Sequence, residues 1–374
     1  MQDFTGGGIH ALPNKLRKTT GRPDLDQKIK ELVAEAGCEV SCELIEQLVM
    51  TALKMAWDKI TVADLKMFNR SLNEFRYAAR VFAPYRGVRK VCVFGSARTH
   101  PSEPEALAAE EFATQLVQRG YMIITGGGDG IMGAAQRGAG AKQSFGLNIR
   151  LPFEQRANET IHQDPKLINF NYFFTRKLNF VKESHAIALF PGGFGTMDEG
   201  FEVLTLLQTG KTRIMPIVLV DKPGGTYWKT WMRFLKDHLL RLKLISPDDF
   251  NLFSIAPSVE AAIEEITGFY RNYRSYRWVG NRMVIRIKHR LTDAAVKSLN
   301  DQFADVLELG QLVQGVALPE EANEPDIAHY PRLILQPSRR NFGRMRLLLN
   351  AVNDAELDPT MPSASPDDSW APVA

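Results

Sequence analysis

The residues best suited to chemistry lie in Phe190-Pro191-Gly192-Gly193-Phe194-Gly195-Thr196-Met197-Asp198-Glu199, where an apolar run ends, three glycines and a threonine follow, and a helical pattern begins. Glycines let the backbone turn sharply and bring bare amide N–H groups close to an anion. A helix start adds unsatisfied donors and partial positive charge. Gly192, Gly193, Gly195 and Thr196 therefore read as a phosphate cradle; the plainer alternative is a tight turn with a capping threonine. Glu199, one turn into the helix, can face whatever the cradle holds and serve as acid or base. Its bland counterpart is a surface acid favoured by the helix dipole. Upstream, Arg176 and Lys177 fall on a helical stretch that feeds the strand Ala186–Phe190. A guanidinium there could clamp phosphate or ribose with two parallel bonds. Neighbours on a helix point about 100° apart, so at most one of the pair faces a crevice squarely, and Arg176 is the one expected to.

A second glycine turn, Thr125-Gly126-Gly127-Gly128-Asp129-Gly130-Ile131-Met132-Gly133, follows the strand Tyr121–Thr125. Gly128, Gly130 and Gly133 satisfy the dinucleotide spacing G-x-G-x-x-G, with Glu154 about 20 residues on. The motif sits on the second strand rather than the first, however, and leaves the Pro191 loop unexplained. Two cradles over one crevice suit a compact mononucleotide at least as well. Gly210-Lys211-Thr212 imitates the end of a P-loop, but position 205 is threonine where the first glycine is required. That reading fails. Pyridoxal chemistry needs a Schiff-base lysine with a pyridinium partner, and no lysine here has that setting. Cys38, Cys42 and Cys92 build neither a disulfide framework nor a zinc site.

These residues need elements to hold them. Short apolar runs (Val91–Phe94, Tyr121–Thr125, Phe145–Ile149, Ala186–Phe190 and Ile214–Val220) alternate with helical stretches, the pattern of a parallel sheet covered on both faces. The fold class is α/β: a Rossmann-like doubly wound parallel sheet over 88–270. A helical N-terminal extension covers 22–87, behind a flexible lead-in at 1–21. Its stripes are Leu25/Ile29/Leu32/Val33, then Leu44/Ile45/Leu48/Val49/Ala52/Leu53 behind Ser41, then Leu65/Phe68/Leu72/Phe75 behind Thr61 with Asp64 near a capping box; they read as core or subunit contact. A small C-terminal α+β module of β-α-β-β-α order covers 271–354, and a Pro/Ser/Asp-rich, disordered tail covers 355–374.

Composition narrows the class. The chain has 374 residues, 44% hydrophobic and 24% charged, and a formal net charge of +3, too mild to imply a polyanion partner. No run approaches the roughly 18 apolar residues of a membrane span, and the start of the chain lacks the apolar core of a secretion signal. A cytoplasmic location is expected.

PGGFGTMDE resembles the PGGxGTxxE signature of the LOG ("Lonely guy") family, the cytokinin riboside 5'-monophosphate phosphoribohydrolases, whose members have often been labelled lysine decarboxylases. Arg176-Lys177 matches the family's Arg-Lys pair, and VFGSAR (Val93–Arg98) and GGGDGIMGAA (Gly126–Ala135) match its two earlier nucleotide-site segments. The likeness covers about 90–245. GLNIRLPFEQ (Gly146–Gln155) and the two appendages look like the long bacterial members, general nucleoside 5'-monophosphate nucleosidases. Phe173-Phe174-Thr175 departs from the family's usual Met-His. The resemblance implies hydrolysis of the N-glycosidic bond of a nucleoside 5'-monophosphate, AMP or a cytokinin riboside 5'-monophosphate, to free base and ribose 5-phosphate. It implies Glu199 and Arg176 as catalytic, and phosphate on Gly192, Gly193, Gly195 and Thr196. Lys177 and Thr205 are implied near the substrate, with Gly95, Ser96, Gly126, Gly127, Gly128 and Asn148 lining the rest. No metal or redox cofactor is implied. Homodimers or larger homo-oligomers are, and so is an anionic nucleotide effector at the C-terminal module.

Two rivals come from other classes. A non-catalytic nucleotide or molybdenum-cofactor carrier of the same fold would need the cradles but not the Glu199–Arg176 pair. A nucleic-acid surface could use Arg271, Arg274, Arg277, Arg282, Arg286, Lys288 and Arg290 interleaved with Tyr270, Tyr273, Tyr276 and Trp278, although such stretches more often serve strand edges and internal packing.

Overall fold

The computed structural model describes residues 18–151 and 156–359. Glu154, most of the N-terminal lead-in and the tail from residue 360 lie outside the described residues. The chain divides into two compact units that meet at Glu74/Phe75.

The first unit holds α1 (Pro23–Glu35), α2 (Cys42–Trp57) and the start of α3 (Val62–Phe82). Pro23 opens α1, where its missing N–H costs nothing. Thr61 caps α3: its hydroxyl accepts the Asp64 N–H at 3.1 Å and donates to the Asp64 carboxylate at 2.7 Å. Ser41 instead sits in the left-handed region at φ 56° and offers α2 no side-chain cap. The core here is small. Ile29, Val33 and Met50 are buried, with Leu25, Val49 and Leu53 against them, whereas Leu32, Leu44, Ile45, Leu48, Leu65 and Leu72 stay exposed. Those stripes are helical as expected, but the first is mostly core, the second gives the core only Val49 and Leu53, and the third is exposed apart from half-buried Phe75.

The second unit contains a seven-stranded, all-parallel sheet. Its strands are β1 (Lys90–Phe94), β2 (Met122–Thr125), β3 (Ser144–Ile149), β4 (Leu167–Phe170), β5 (Ala186–Leu189), β6 (Ile217–Val220) and β7 (Ser254–Ala256), in the order β4-β3-β2-β1-β5-β6-β7. The crossover helices are α4 (Pro104–Gln118), α5 (Ile131–Ala139), α6 (Phe173–Glu183), α7 (Phe194–Gln208) and α8 (Tyr227–Phe234), and α9 (Val259–Gly268) follows the last strand and packs back on the sheet. Strands β1, β2, β5 and β6 are buried throughout because helices cover both faces, which is why they read as unbroken apolar runs. The chain winds from β1 out to β4 and then returns to β5 on the other side. Successive loops therefore part between β1 and β5, opening a crevice at the carboxyl ends of the strands.

An antiparallel sheet of order β10-β11-β9-β8 follows: β8 (Tyr273–Val279), β9 (Arg282–Ile287), β10 (Leu307–Gly315) and β11 (Arg332–Pro337). Helices α10 (Asp293–Gln302) and α11 (Phe342–Asp354) complete it. Among the described residues, no helix is long and apolar enough to cross a membrane.

Candidate active site

Three loops build the crevice, and glycines fasten them together. A side chain on Gly95 would strike Ile131 at 2.5 Å, one on Gly130 (φ 63°) would meet the Ser96 carbonyl at 2.2 Å, and one on Gly192 would reach the Thr196 hydroxyl at 2.1 Å. The contacts tie β1 to α5 and to the β5 loop. Ser96 N–H donates to the Pro191 carbonyl at 3.1 Å, and Ile131 N–H to the Ser96 carbonyl at 3.0 Å. Gly130 thus allows two loops to touch, so the dinucleotide fingerprint has a structural cause here. Gly193 and Gly195 differ: nothing lies within 4 Å of a side chain placed on either.

The enclosed space is about 810 Å³, within the usual range for small-ligand sites. Its lining includes Gly95, Ser96, Gly126, Gly128, Asn148, Arg176, Gly192, Gly193, Gly195, Thr196 and Glu199 from the expected set. Helix α7 opens behind Gly193 with no side chain capping it, so its first amides face the crevice as anion donors. Glu199 is 3% exposed at the floor. Its carboxylate lies 3.5 Å from the Arg176 guanidinium, the outer limit of a hydrogen bond, and neither oxygen has a closer partner among the described residues. Burial pushes the Glu199 carboxyl up to about 7, against the pull of Arg176 and Lys177. Burial also draws Arg176 below its usual value, with Glu199 and Asp198 opposing. The guanidinium is wedged over the rings of Phe173 and Phe180, at 5.0 and 5.5 Å.

Three expected residues are not in the lining. Lys177 turns along the surface between α6 and α7, bonding Asp198 at 2.9 Å and Glu202 at 2.7 Å. Burial opposes its charge, but those two carboxylates raise it overall. Thr205 is exposed and donates its hydroxyl to the Phe201 carbonyl at 2.8 Å. Gly127 lies beneath the turn, at φ 76°, donating to the Thr125 hydroxyl at 2.9 Å.

Sequence reasoning missed the residues that hold the loops. Buried Asn158 accounts for the second glycine turn: its backbone N–H donates to the Gly127 carbonyl at 2.8 Å, and its amide reaches the Gly128 carbonyl at 2.9 Å and Gln136 at 2.6 Å. The Tyr227 hydroxyl donates to the Gly192 carbonyl, bracing the Pro191 loop from α8. Met132, Leu151 and Phe173 add apolar wall. Asn158 and Tyr227 stand in no motif, so only the fold could reveal them.

Much of the basic-aromatic stretch is buried or paired with carboxylates. Arg286 is fully buried and bonded to Glu321 and Glu324, Arg277 pairs with Glu324, Arg282 with Glu320, and Arg271 with Glu264 and Asp354. Tyr270 and Tyr273 are core. Gly210, in the would-be P-loop, ends α7 at φ 65° against the Phe342 ring.

Comparison with known proteins adds ancestry. A family model described as "Possible lysine decarboxylase" matches residues 132–266. The rice (Oryza sativa subsp. japonica) protein described as a probable cytokinin riboside 5'-monophosphate phosphoribohydrolase, LOGL5, is 30% identical over 175 residues, covering 46% of this chain and 68% of that protein. The Arabidopsis thaliana cytokinin riboside 5'-monophosphate phosphoribohydrolase LOG1 is 26% identical over 185 residues, covering 48% of this chain and 84% of its own length. Among solved structures, the chain is similar to the Moco carrier protein from Chlamydomonas reinhardtii, with 20% identity, 48% of this chain and 96% of that one covered, and a TM-score of 0.34.

Proposed function

The chain belongs to the LOG family, and from that membership we propose that it hydrolyses the N-glycosidic bond of nucleoside 5'-monophosphates, AMP or a cytokinin riboside 5'-monophosphate, yielding free base and ribose 5-phosphate. The observation that carries the reading is the buried Glu199–Arg176 pair beneath an uncapped helix start. A carrier has no use for a desolvated carboxylate whose oxygens lack close partners; a hydrolase does, because water or a ribose hydroxyl can supply them.

The chemistry follows from position. The 5'-phosphate lies on the amides of Gly193 and Gly195 and the hydroxyl of Thr196. As the C1'–N bond breaks, its electron pair leaves with the base and the ribose takes on oxocarbenium character. Glu199 stabilises that charge and accepts a proton from the attacking water, help on the order of 10²–10⁴ in rate, and the departing base takes up a proton from solvent as Glu199 returns its own. Arg176 orients phosphate and ribose and holds the carboxylate. Lys177 and Thr205, on the outer side of α6 and α7, act at the edge of the site. Exposed Phe173, Phe174, Leu178 and Phe201 beside the crevice support association into a homo-oligomer through that face.

The test is release of base from AMP and adenosine, with binding measured alongside. AMP is expected to be cleaved at least about a hundredfold better, because the best-built feature is an anion cradle. Glu199→Gln is expected to keep AMP binding and lose most turnover. AMP bound but never cleaved by the unaltered protein would make it a carrier, and equal rates on AMP and adenosine would reduce the Pro191 loop to a turn.

A further inference from the structure

The proposed reaction positions phosphate and ribose and leaves the base unassigned. Resting on that reading, we propose that Asn148, oriented by Asn169, selects bases that carry an exocyclic amino group.

The sheet order sets the scale. From the phosphate loop behind β5, the end of β3 lies three strand spacings away, about 14 Å, the reach of a nucleoside monophosphate laid along the crevice. A nucleotide whose phosphate sits on Gly193–Thr196 and whose ribose lies over Glu199 therefore brings its base to the β3 end. The wall there is apolar (Met132, Ile149, Leu151 and Phe173), and Asn148 is the polar side chain set among them. A mostly apolar wall with one placed polar group is how small-ligand sites fix the orientation of a ring.

Asn148 and Asn169 are register partners on the adjacent parallel strands β3 and β4, so their side chains leave the same face of the sheet. Asn148 Nδ2 donates to Asn169 Oδ1 at 3.1 Å. That bond uses one N–H of the Asn148 amide and sets which way the group is turned, leaving Oδ1 as an acceptor for a ligand with the second N–H beside it. An exocyclic amine, as on adenine, donates to it. A ring carbonyl in the same place, as on hypoxanthine, sets two acceptors against each other and leaves both unpaired. Turning the Asn148 amide to repair this would point its oxygen at Asn169 Oδ1, so both amides would have to turn together.

The experiment measures kcat/KM and equilibrium binding for AMP and IMP, which differ at that one group. The unaltered protein is expected to prefer AMP by about tenfold or more, the scale of one hydrogen bond. Asn148→Ala should bring the ratio towards one, chiefly through AMP. Asn169→Leu, which does not reach the base, should do so in part, and Asn169→Asp, which still accepts from Nδ2, should preserve the preference. A merely structural role would weaken AMP and IMP equally, and that result overturns the proposal, as does a ratio near one in the unaltered protein. The binding arm separates the two readings. Tighter AMP binding that Asn148→Ala abolishes supports Asn148 even with no base released, and hydrolysis alone would then fall. Equal binding, or none, overturns the selection itself.

Discussion

At the scale of single residues, Glu199 decides most. A carboxyl held at about 7 is mostly protonated at pH 6, and a base must be ionised. The log of kcat/KM for AMP should therefore climb towards pH 7 with a slope near one and level off above it; a flat profile from pH 5.5 to 8 would remove Glu199 as the base. The same burial has a cost in stability. With a folded value of about 7 against an ordinary 4.5, the native state binds more protons than the unfolded chain between those values. Stability therefore falls as pH rises through that window and stays lower above it. Glu199→Gln should then melt above the unaltered protein at pH 8, by about 1–3 kcal/mol, and match it near pH 4.5. Arg176→Ala should damage activity at least about tenfold more than Lys177→Ala, because Arg176 lines the crevice while Lys177 is spent on Asp198 and Glu202. Kinetics of both variants on AMP check this, and a more severe Lys177 variant would exchange their roles. Helical geometry in the sequence says that at most one of these two neighbours faces the crevice, and the preference for Arg176 came from the chemistry of its guanidinium. Asn158 and Tyr227 escaped because their work is long-range, bonding turns 30 and 35 positions away.

Among the elements, the glycines divide by purpose. Gly130 and Gly192 are small so that loops can touch, and Gly130 also needs its positive φ. Gly195 has open space, an ordinary helical position and no structural reason to lack a side chain. Gly130→Ala should therefore destabilise the protein by about 2 kcal/mol or more through strain and collision with the Ser96 carbonyl. Gly195→Ala should leave stability unchanged or raise it by up to about 1 kcal/mol, while weakening AMP severalfold by intruding on the cradle. Denaturant melts paired with AMP titration separate the two; a Gly195→Ala protein that binds AMP normally would place the phosphate elsewhere. Legibility of the elements followed length and burial. Strands β1, β2, β3, β5 and β6 announced themselves as apolar runs flanked by glycine turns. Strands β4 and β7 lie at the two edges of the sheet and are only partly buried, so neither is an unbroken apolar run, and α9 was passed over between β7 and the basic stretch. Strand β8 was hidden by its chemistry: Tyr273–Val279 reads as a cationic, aromatic surface until Arg274 proves to be buried and Arg277 paired.

Across the whole second unit, one hydrophobic core runs through residue 271, where the composition changes. Phe94, Leu189 and Leu219 of the parallel sheet share a continuous cluster with Phe269 and Tyr273, and with Ile285, Leu333 and Leu349 of the antiparallel sheet and its helix. Polar bonds follow the same seam. The Tyr270 hydroxyl donates to the His185 carbonyl at 2.6 Å, and Asn353 accepts from the Asn272 and Tyr273 amides at 2.9 and 2.7 Å. Helix α11 is the joint: Phe342 lies against Gly210 at the end of α7, with no room there for a side chain, and Asn341 bonds Asp248 at 2.6 Å. A core shared this way should open as one cooperative body, since neither sheet can bury its inner face without the other. In hydrogen exchange, peptides covering Ala186–Leu189 and Arg282–Ile287 are then expected to open with the same free energy, within about 1 kcal/mol. Phe342→Ala should cost about 3–5 kcal/mol and lower protection in both sheets together, including β1 and β5, which carry the crevice loops. If the variant unlocks the antiparallel sheet and leaves β5 protected, the C-terminal module is an appendage with its own stability, and its contact with the α7 helix does not support the site.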